Sequence, residues 1–520
     1  MRKTVIRLFS VLLWCVMATA SLRAQDAVSI YTVKHSLVYG FEAVGMAGDG
    51  NFAPFWHTSN RQGLPSVRKD NGYVHLTLLG RMNMPGGFDV GYGADFGVGA
   101  GLRSAFFLHQ LYVDLDYRWL ELSAGMKERW GELKNHRISS GGLTWSGNSQ
   151  PIPQVRIGTR DFTRIRVLGD WFSVKTSFGY GRFTDDKWRR SQAESVAVKG
   201  AYTDGILFHS KDFFLRFGDA DRFPLQATVG LEMYAMFGGV LHNRQLNTME
   251  VLEEYRLPSG AKAYLTAFMP FNDAGSQGKE NGNVLGSWHL SFDYFGHDWG
   301  VRAYYEHFYE DHSSMLGIEY KSDMDGNKDF VFYGFRRNWF DGLYGLEFKL
   351  PHGFSVNNVV LEVLNTRGQC GPIRRDVVFP VQESVDGRDD MYNHQLYDSY
   401  SMAGYAIGNP VLLSPVYNSD NNQSFRSNRV LMYHIGVEGE AGDRWDYRAL
   451  FTSTVHWGTY EDALNEKQKV TSCLLEGAYR FGDANGWKVG MSLGFDLNDG
   501  DMTGNNTGVL FTFSKSWRIL

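Results

Sequence analysis

The residues of this chain best suited to chemistry form an aromatic and amide-rich tract between 367 and 426. It holds Tyr392, Tyr397, Tyr400, Tyr405 and Tyr417, with Asn393 and the cations Arg374, Arg375 and Arg388. Tyrosine rings stack on sugar faces, while amides and guanidinium groups pair with hydroxyls and carboxylates. A connection of about sixty residues without structure of its own is usually functional or disordered, and disordered tracts are poor in aromatics. The tract therefore reads as a packed lid that binds polysaccharide, or as one whose tyrosines serve only its own fold. A second set, Glu121, Lys127, Arg302, Glu306, Arg448, Lys488 and Asp496, falls on the polar face of alternating segments. Arg302, Glu306 and Arg448 are candidates for a polar track toward an anionic glycan. The plainer reading is a solvated interior whose charges neutralise one another.

Other constellations point away from catalysis. Asp323-Met-Asp325-Gly-Asn327-Lys-Asp329 alternates oxygen ligands as a calcium loop does. However, Gly326 comes one place early, and Gly334 stands where a bidentate Glu is required. It is read as an acidic turn. His307-Phe-Tyr-Glu310-Asp-His312 has one residue too many for a zinc-protease motif, and no Gly-x-Ser-x-Gly elbow occurs. No enzyme activity, cofactor or metal is expected.

The elements that position these residues are strands. Alternation of apolar and polar residues predicts them near 31–45, 73–84, 88–100, 105–116, 119–128, 161–168, 171–181, 205–217, 225–237, 284–295, 299–309, 340–350, 354–366, 427–440, 445–456, 468–482, 487–498 and 505–519. In 88–100, Phe88, Val90, Tyr92, Ala94, Phe96 and Val98 oppose Asp89, Gly91, Gly93, Asp95, Gly97 and Gly99. Segments of this length, with one apolar face and one polar face, suit a transmembrane barrel. Eight short turns end in an aromatic: Gly87-Phe88, Arg118-Trp119, Asp170-Trp171, Arg222-Phe223, Asp298-Trp299, Gly353-Phe354, Arg444-Trp445 and Gly486-Trp487. Such rings sit well at headgroup depth, and an 18-stranded barrel has eight such turns on its periplasmic rim. Trp119 and Trp171 have the parity of the lumen face. Long connections at 46–72, 129–160, 182–204, 238–283, 310–339 and 367–426 are then extracellular. In 238–283, Leu246, Met249, Leu252, Tyr255, Ala263, Ala267 and Phe268 have helical spacing, which predicts a short helical plug. The expected fold is all-β and transmembrane: a closed antiparallel barrel of about 18 strands.

The N-terminus reads as a secretory signal peptide over 1–24, with Arg2, Lys3 and Arg7 before the apolar run Leu8 to Met17, leaving 25–520 as the barrel. Its removal, with Arg23, takes the basic count from 52 to 48 against 57 acidic residues. That balance disfavours nucleic acid as a partner. The mean hydropathy of −0.31 matches strands with one wet face and one lipid face. Cys370 and Cys473 read as unlinked thiols, with a disulfide as the alternative. In the last strand Asn506, Gly508, Phe511 and Phe513 match the terminal signal read by the barrel assembly machinery.

Several blocks together resemble the capsule-assembly Wzi family. They are Phe55-Trp56 with Ser59-Asn60-Arg61-Gln62-Gly63, the run from Ser146 to Gly158, the run from Glu306 to Ser314, Asp341-Gly-Leu-Tyr-Gly345, and Tyr392-Asn393 through Tyr405 to Gly408-Asn409-Pro410. The resemblance implies a barrel of the Gram-negative outer membrane, closed by helical elements, that acts as a lectin holding capsular polysaccharide without catalysis. Capsular polysaccharide or another surface glycan and outer-membrane lipid would be its partners. His394-Gln-Leu396 departs from the expected Asn-Gly-Tyr arrangement, which leaves the glycan's identity open. A substrate-selective porin for oligosaccharides or anionic solutes is the alternative. A monomer is expected, because a closed barrel has no free edge.

Overall fold

Alternation over some ten residues commits a strand to two solvents, and closure is the one arrangement that leaves no unpaired edge. The computed structural model describes residues 35–518 apart from 197–199, 246–250, 270–281, 311–316, 323–327, 334–339, 352–353, 370–373, 379–380, 387 and 483–485. Its wall strands are β1 (His35–Asp49), β2 (Asn71–Met84), β3 (Phe88–Ala100), β4 (Phe106–Tyr117), β5 (Leu120–Met126), β6 (Gln154–Thr159), β7 (Phe172–Arg182), β8 (Leu207–Phe217) and β9 (Leu225–Phe237). They continue with β10 (Asn283–Phe295), β11 (Gly300–Glu310), β12 (Gly342–Lys349), β13 (Val356–Asn365), β14 (Val430–Ala441), β15 (Trp445–Gly458), β16 (Ala463–Arg480), β17 (Lys488–Asn498) and β18 (Asn506–Arg518). Each pairs antiparallel with the next, and β1 closes on β18 from Val38 opposite Arg518 to Asp49 opposite Thr507. The expected closed 18-strand barrel is what the chain forms. No helix among the described residues is long and apolar enough to cross a membrane.

The two faces separate as the alternation requires. In β17 Val489, Met491, Leu493, Phe495 and Leu497 stand exposed on the outer face, while Ser492 and Asp496 are buried toward the lumen. Glycine is needed where an aromatic lies across the neighbouring strand: a Cβ on Gly345 would meet the Tyr304 ring at 2.0 Å. The aromatic-tipped turns fall at one end of the barrel among the described residues, with Gly353 outside them. Trp119 is exposed there despite its lumen parity, and Trp171 leans on Phe217 with ring centroids 6.0 Å apart.

Two expectations need correction. The sixth strand is Gln154–Thr159, not 161–168, and a short Thr163–Arg164 bridge and one 3-10 turn lie in the connection that follows it. Both stretches alternate, but 154–159 places Val155 outward and pairs with β5 and β7, whereas Val167 is 95% exposed. The other correction concerns the long connections. Residues 50–70, 127–153 and much of 388–429 do not stand outside the barrel but fold back into its lumen. Their apolar residues form buried clusters with the inward faces of the wall, one joining Leu143, Trp145, Tyr392 and Tyr400 to Phe208, Tyr234, Leu343 and Met432, another joining Trp56 and Ile138 to Val360, Leu450 and Leu474.

The insertion at 238–283 divides. It contains the expected short helix, Ala261–Phe268, whereas Leu252 and Tyr255 lie in a strand, Val251–Arg256, paired with Val240–Gln245. Leu241 and Tyr255 of that hairpin join the lumen cluster. The helix packs Ala263 and Ala267 on Met233, Ala235 and Phe237, outward-facing residues of β9. There Lys211, on the outer face of β8, donates to the Phe268 carbonyl and lies 4.8 Å from its ring. The helix end thus satisfies a cation on an otherwise apolar face. The signal peptide, the Asp323–Asn327 part of the acidic turn and Cys370 lie outside the described residues.

The wall assignment yields a direct test. Phe451 is the seventh residue of the fourteen in β15 and is 44% exposed on the outer face. Phe451→Arg should lower the stability of the folded barrel in lipid vesicles by about 2–4 kcal/mol, measured by urea titration. No change would place that face away from hydrocarbon.

Candidate functional site

A barrel of eighteen strands encloses more space than its own side chains fill. Here returning segments occupy it, and inward carboxylates of the wall accept their N–H groups. After Pro54, a single helical turn, α1 (Phe55–Thr58), is seated on β14 to β17. The Phe55 N–H donates to Asp496 Oδ2 at 3.0 Å, and Trp56 Nε1 donates to Thr452 Oγ1 at 3.0 Å. His57 bonds Ser492 Oγ at 2.8 Å, and Arg61 pairs with Glu476 at 2.7 Å. Asn60 donates to the Ser140 carbonyl at 3.0 Å, and Gln62 to the Arg129 carbonyl at 3.0 Å, so this block holds the next segment.

Segment 127–153 is where the expected lumen track resolves. Glu306 on β11 pairs with Lys134 at 2.5 Å and accepts the Leu143 N–H at 2.7 Å. Arg302, paired with Asp293, donates to the Leu133 carbonyl at 3.3 Å. Arg448 on β15, paired with Glu476, donates to the Arg137 carbonyl at 2.7 Å. Glu362 accepts the Ser140 N–H at 2.7 Å, and the Ile138 carbonyl bonds His434 at 2.8 Å. All three track residues therefore grip one returning segment; they are clamps rather than a free polar path.

The tyrosine tract lies above this segment and is bonded to it. Tyr392, Tyr397 and Tyr400 are each 0% exposed, so none offers a ring face to a ligand. The Tyr392 hydroxyl donates to the Leu143 carbonyl, and the Tyr400 hydroxyl to the Thr144 carbonyl at 2.8 Å. Burial pushes the pKa of all three hydroxyls up. Asn393 is spent on both backbone groups of Phe425, at 2.7 and 2.9 Å. Tyr405, half-buried, donates to the Pro65 carbonyl at 3.1 Å. Arg388 is exposed, with its guanidinium 5.5 Å from the Tyr460 ring. Arg374 and Arg375 begin a strand, Arg374–Val378, that pairs with Val381–Asp386.

Sequence reasoning missed the pair that fixes this lid. In the helix α2 (Asp186–Glu194), Arg189 is wholly buried and pairs at 3.1 Å with Asp185, which is equally buried. Its remaining N–H groups reach the carbonyls of Tyr397 at 3.0 Å and Ser401 at 2.9 Å. Asp185 also accepts the Ala403 N–H at 2.8 Å. An acid and a base four residues apart were the visible signal, and on an exposed helix that spacing means little.

The buried polar sets do not form a reaction centre. Ser287, His289 and Glu232 resemble a nucleophile–base–acid grouping, but both contacts, at 2.9 and 3.3 Å, use Nε2 of His289. A triad needs the acid on Nδ1, and no residue of the set is more than 5% exposed. Carboxylate and imidazole atoms of Asp95, His109 and Glu128, and of Glu232, His289 and Glu306, lie within 4.8 Å of one another. In the second set Lys134 already neutralises Glu306. Toward the turn end, a cavity of about 400 Å³ is lined by Glu121, Lys127, Arg156, Arg160, Lys175 and Asp212, with Trp130 stacked on His136. Buried Trp145, Phe214 and Tyr234 also border it.

No family model matches the chain, and no curated protein matches it either. Solved structures do. The chain is similar to Wzi of Escherichia coli, an outer-membrane protein involved in group 1 capsule assembly and a carbohydrate-binding β-barrel, with a TM-score of 0.52 and 14% identity over 91% of this chain and 83% of that one. OccK5 (OpdH) of Pseudomonas aeruginosa aligns with a TM-score of 0.46 and 9% identity, covering 94% of this chain and 99% of that one. OprD of the same organism gives 0.44 and 9%, covering 93% and 94%. At such identities the likeness establishes the fold, an outer-membrane β-barrel.

The clamp is testable. Glu306→Ala leaves Lys134 as a buried charge without its partner, which should cost about 3–5 kcal/mol. Limited proteolysis should then cut within 127–153 in the variant but not in the parent protein. Equal resistance would mean that the remaining wall contacts hold the segment unaided.

Proposed function

We propose that this chain is a non-enzymatic protein of the Gram-negative outer membrane, exported by an N-terminal signal peptide, that holds an extracellular polysaccharide at the cell surface. The role is of the kind described for the Wzi barrel, and the sequence blocks quoted above fit membership of that family. One observation carries this reading: returning segments occupy the lumen and are bonded to the wall strands β11, β13, β16 and β17, through Glu306, Glu362, Glu476 and Asp496. A filled lumen suits a tether and opposes a diffusion channel. The lid built on it is a fixed platform, held in part by Asn393 and Tyr405 through Phe425 and Pro65, and the exposed Arg388 supplies a polar group a glycan would meet. Tyr392, Tyr397 and Tyr400 act beneath it as framework. The protein works as a monomer in this reading. The charged 400 Å³ cavity favours the second reading, a selective porin, which would require the stopper to move.

Single-channel conductance in a planar bilayer, with capsular polysaccharide from the same strain added, separates the two. The tether predicts a closed barrel and retention of polysaccharide in a pull-down. A large steady conductance indifferent to polysaccharide would overturn it. Within the tether, Arg388→Ala should weaken retention without changing the unfolding midpoint. Tyr400→Ala should lower both, at a stability cost of about 3–5 kcal/mol for a buried ring.

A further inference from the structure

We infer that the outer wall above β13, β14 and β15 binds the phosphate of an outer-leaflet glycolipid. The inference rests on the membrane placement of the barrel and shares Arg388 with the proposed polysaccharide surface, whereas Arg367 and Arg429 belong to the lipid site alone. Three arginines meet there. Arg367 follows β13 by two residues, Arg429 immediately precedes β14, and Arg388 comes from the lid. Their guanidinium carbons lie 5.3 Å from the Trp457 ring, 4.1 Å from the Tyr460 ring and 5.5 Å from the Tyr460 ring respectively. The Tyr460 hydroxyl donates to the Arg367 carbonyl at 3.1 Å, and Arg429 Nε reaches the same carbonyl at 3.4 Å, so the cluster is held together. None of the three guanidinium groups forms an ion pair among the described residues, whereas the lumen cations Arg302, Arg448 and Lys134 all do. Arg367 Nε donates to Asn365 Oδ1 at 2.8 Å, and the terminal N–H groups of guanidiniums laid on aromatic rings are left to meet a phosphate.

Position selects a lipid over a soluble polymer. Arg367, Arg429 and Trp457 have the outward parity of Leu361, Tyr433, Ile435 and Phe451, all exposed apolar side chains on the same three strands. The cluster thus continues the lipid-facing strip upward and faces sideways into the leaflet. Trp457 and Tyr460 are of the types that settle at headgroup depth. Phosphate would sit among the arginines, with acyl chains along Ile435 and Phe451 below.

Native mass spectrometry of the detergent-solubilised protein tests the site, using diphosphoryl lipid A and its dephosphorylated form as probes. The parent protein should retain the diphosphoryl lipid and not the dephosphorylated one. Arg367→Ala/Arg388→Ala/Arg429→Ala should lower retention at least about tenfold, the change that one lost charged hydrogen bond produces. Unaltered heat-modifiable migration of the variant on gels would show that the barrel still folds; Arg367→Ala/Arg429→Ala, which leaves the lid untouched, serves should the triple variant misfold. Equal retention of both lipids, or equal retention by parent and variants, overturns the proposal. So does full occupation by inorganic phosphate with no preference for the lipid. Loss of an acidic polysaccharide probe from the variants with lipid retention unchanged would assign the arginines to the glycan instead.

Discussion

A closed wall of eighteen strands encloses a space wider than its own side chains can fill, and the polypeptide that fills it brings backbone groups needing partners. That requirement governs the structure. Each buried N–H of the returning segments must find an acceptor, and the wall supplies acceptors as carboxylates: Asp496 for Phe55, Glu362 for Ser140, Glu306 for Leu143. A carboxylate buried alone would be costly, so cations of the wall and of the segments are drawn into the same contacts. Lys134 pairs with Glu306, and Arg61 and Arg448 share Glu476. Wall and stopper are therefore one polar network, and neither could be dry without the other.

This network explains why the wall was legible in the sequence and its contents were not. Strand pairing leaves a local record: Phe96 and Val98 face lipid while Asp95 and Gly97, alternating with them, face the lumen, and four residues suffice to see it. The one misplaced strand lies where alternation occurs twice in succession, at 154–159 and again at 161–168. Period two alone does not choose between them. The destination of a long connection leaves no such record. Segment 127–153 is polar enough to pass for a surface loop. Its buried state depends on acceptors 150 residues or more away in the chain, such as Glu306 for Leu143 and Glu362 for Ser140.

The tyrosine tract shows the same limit from the other side. Rings with polar tips suit a sugar-binding surface and a hydrogen-bonded core equally well. Tyr392 and Tyr400 take the second role because carbonyls of Leu143 and Thr144 lie within reach of their hydroxyls. Composition identified the tract as ordered, but only the position of its partners decided which way the rings point. The lumen charges follow the same course: what Arg302, Glu306 and Arg448 meet on the inner face is protein.

Charge sorting then separates what holds the molecule together from what it can present. Inside, the basic groups Arg189, Lys134 and Arg448 are matched by Asp185, Glu306 and Glu476, and such pairs have nothing left for a ligand. At the loop end, Arg367, Arg388 and Arg429 rest on aromatic rings instead of carboxylates. A ring restrains a guanidinium without neutralising it, so its positive charge stays available to an anion. The same residue type is paired with carboxylates in the lumen and laid on aromatic rings at the rim. The buried pairs thus hold the returning segments and the lid, while the arginines stacked on rings stand at the loop end of the wall.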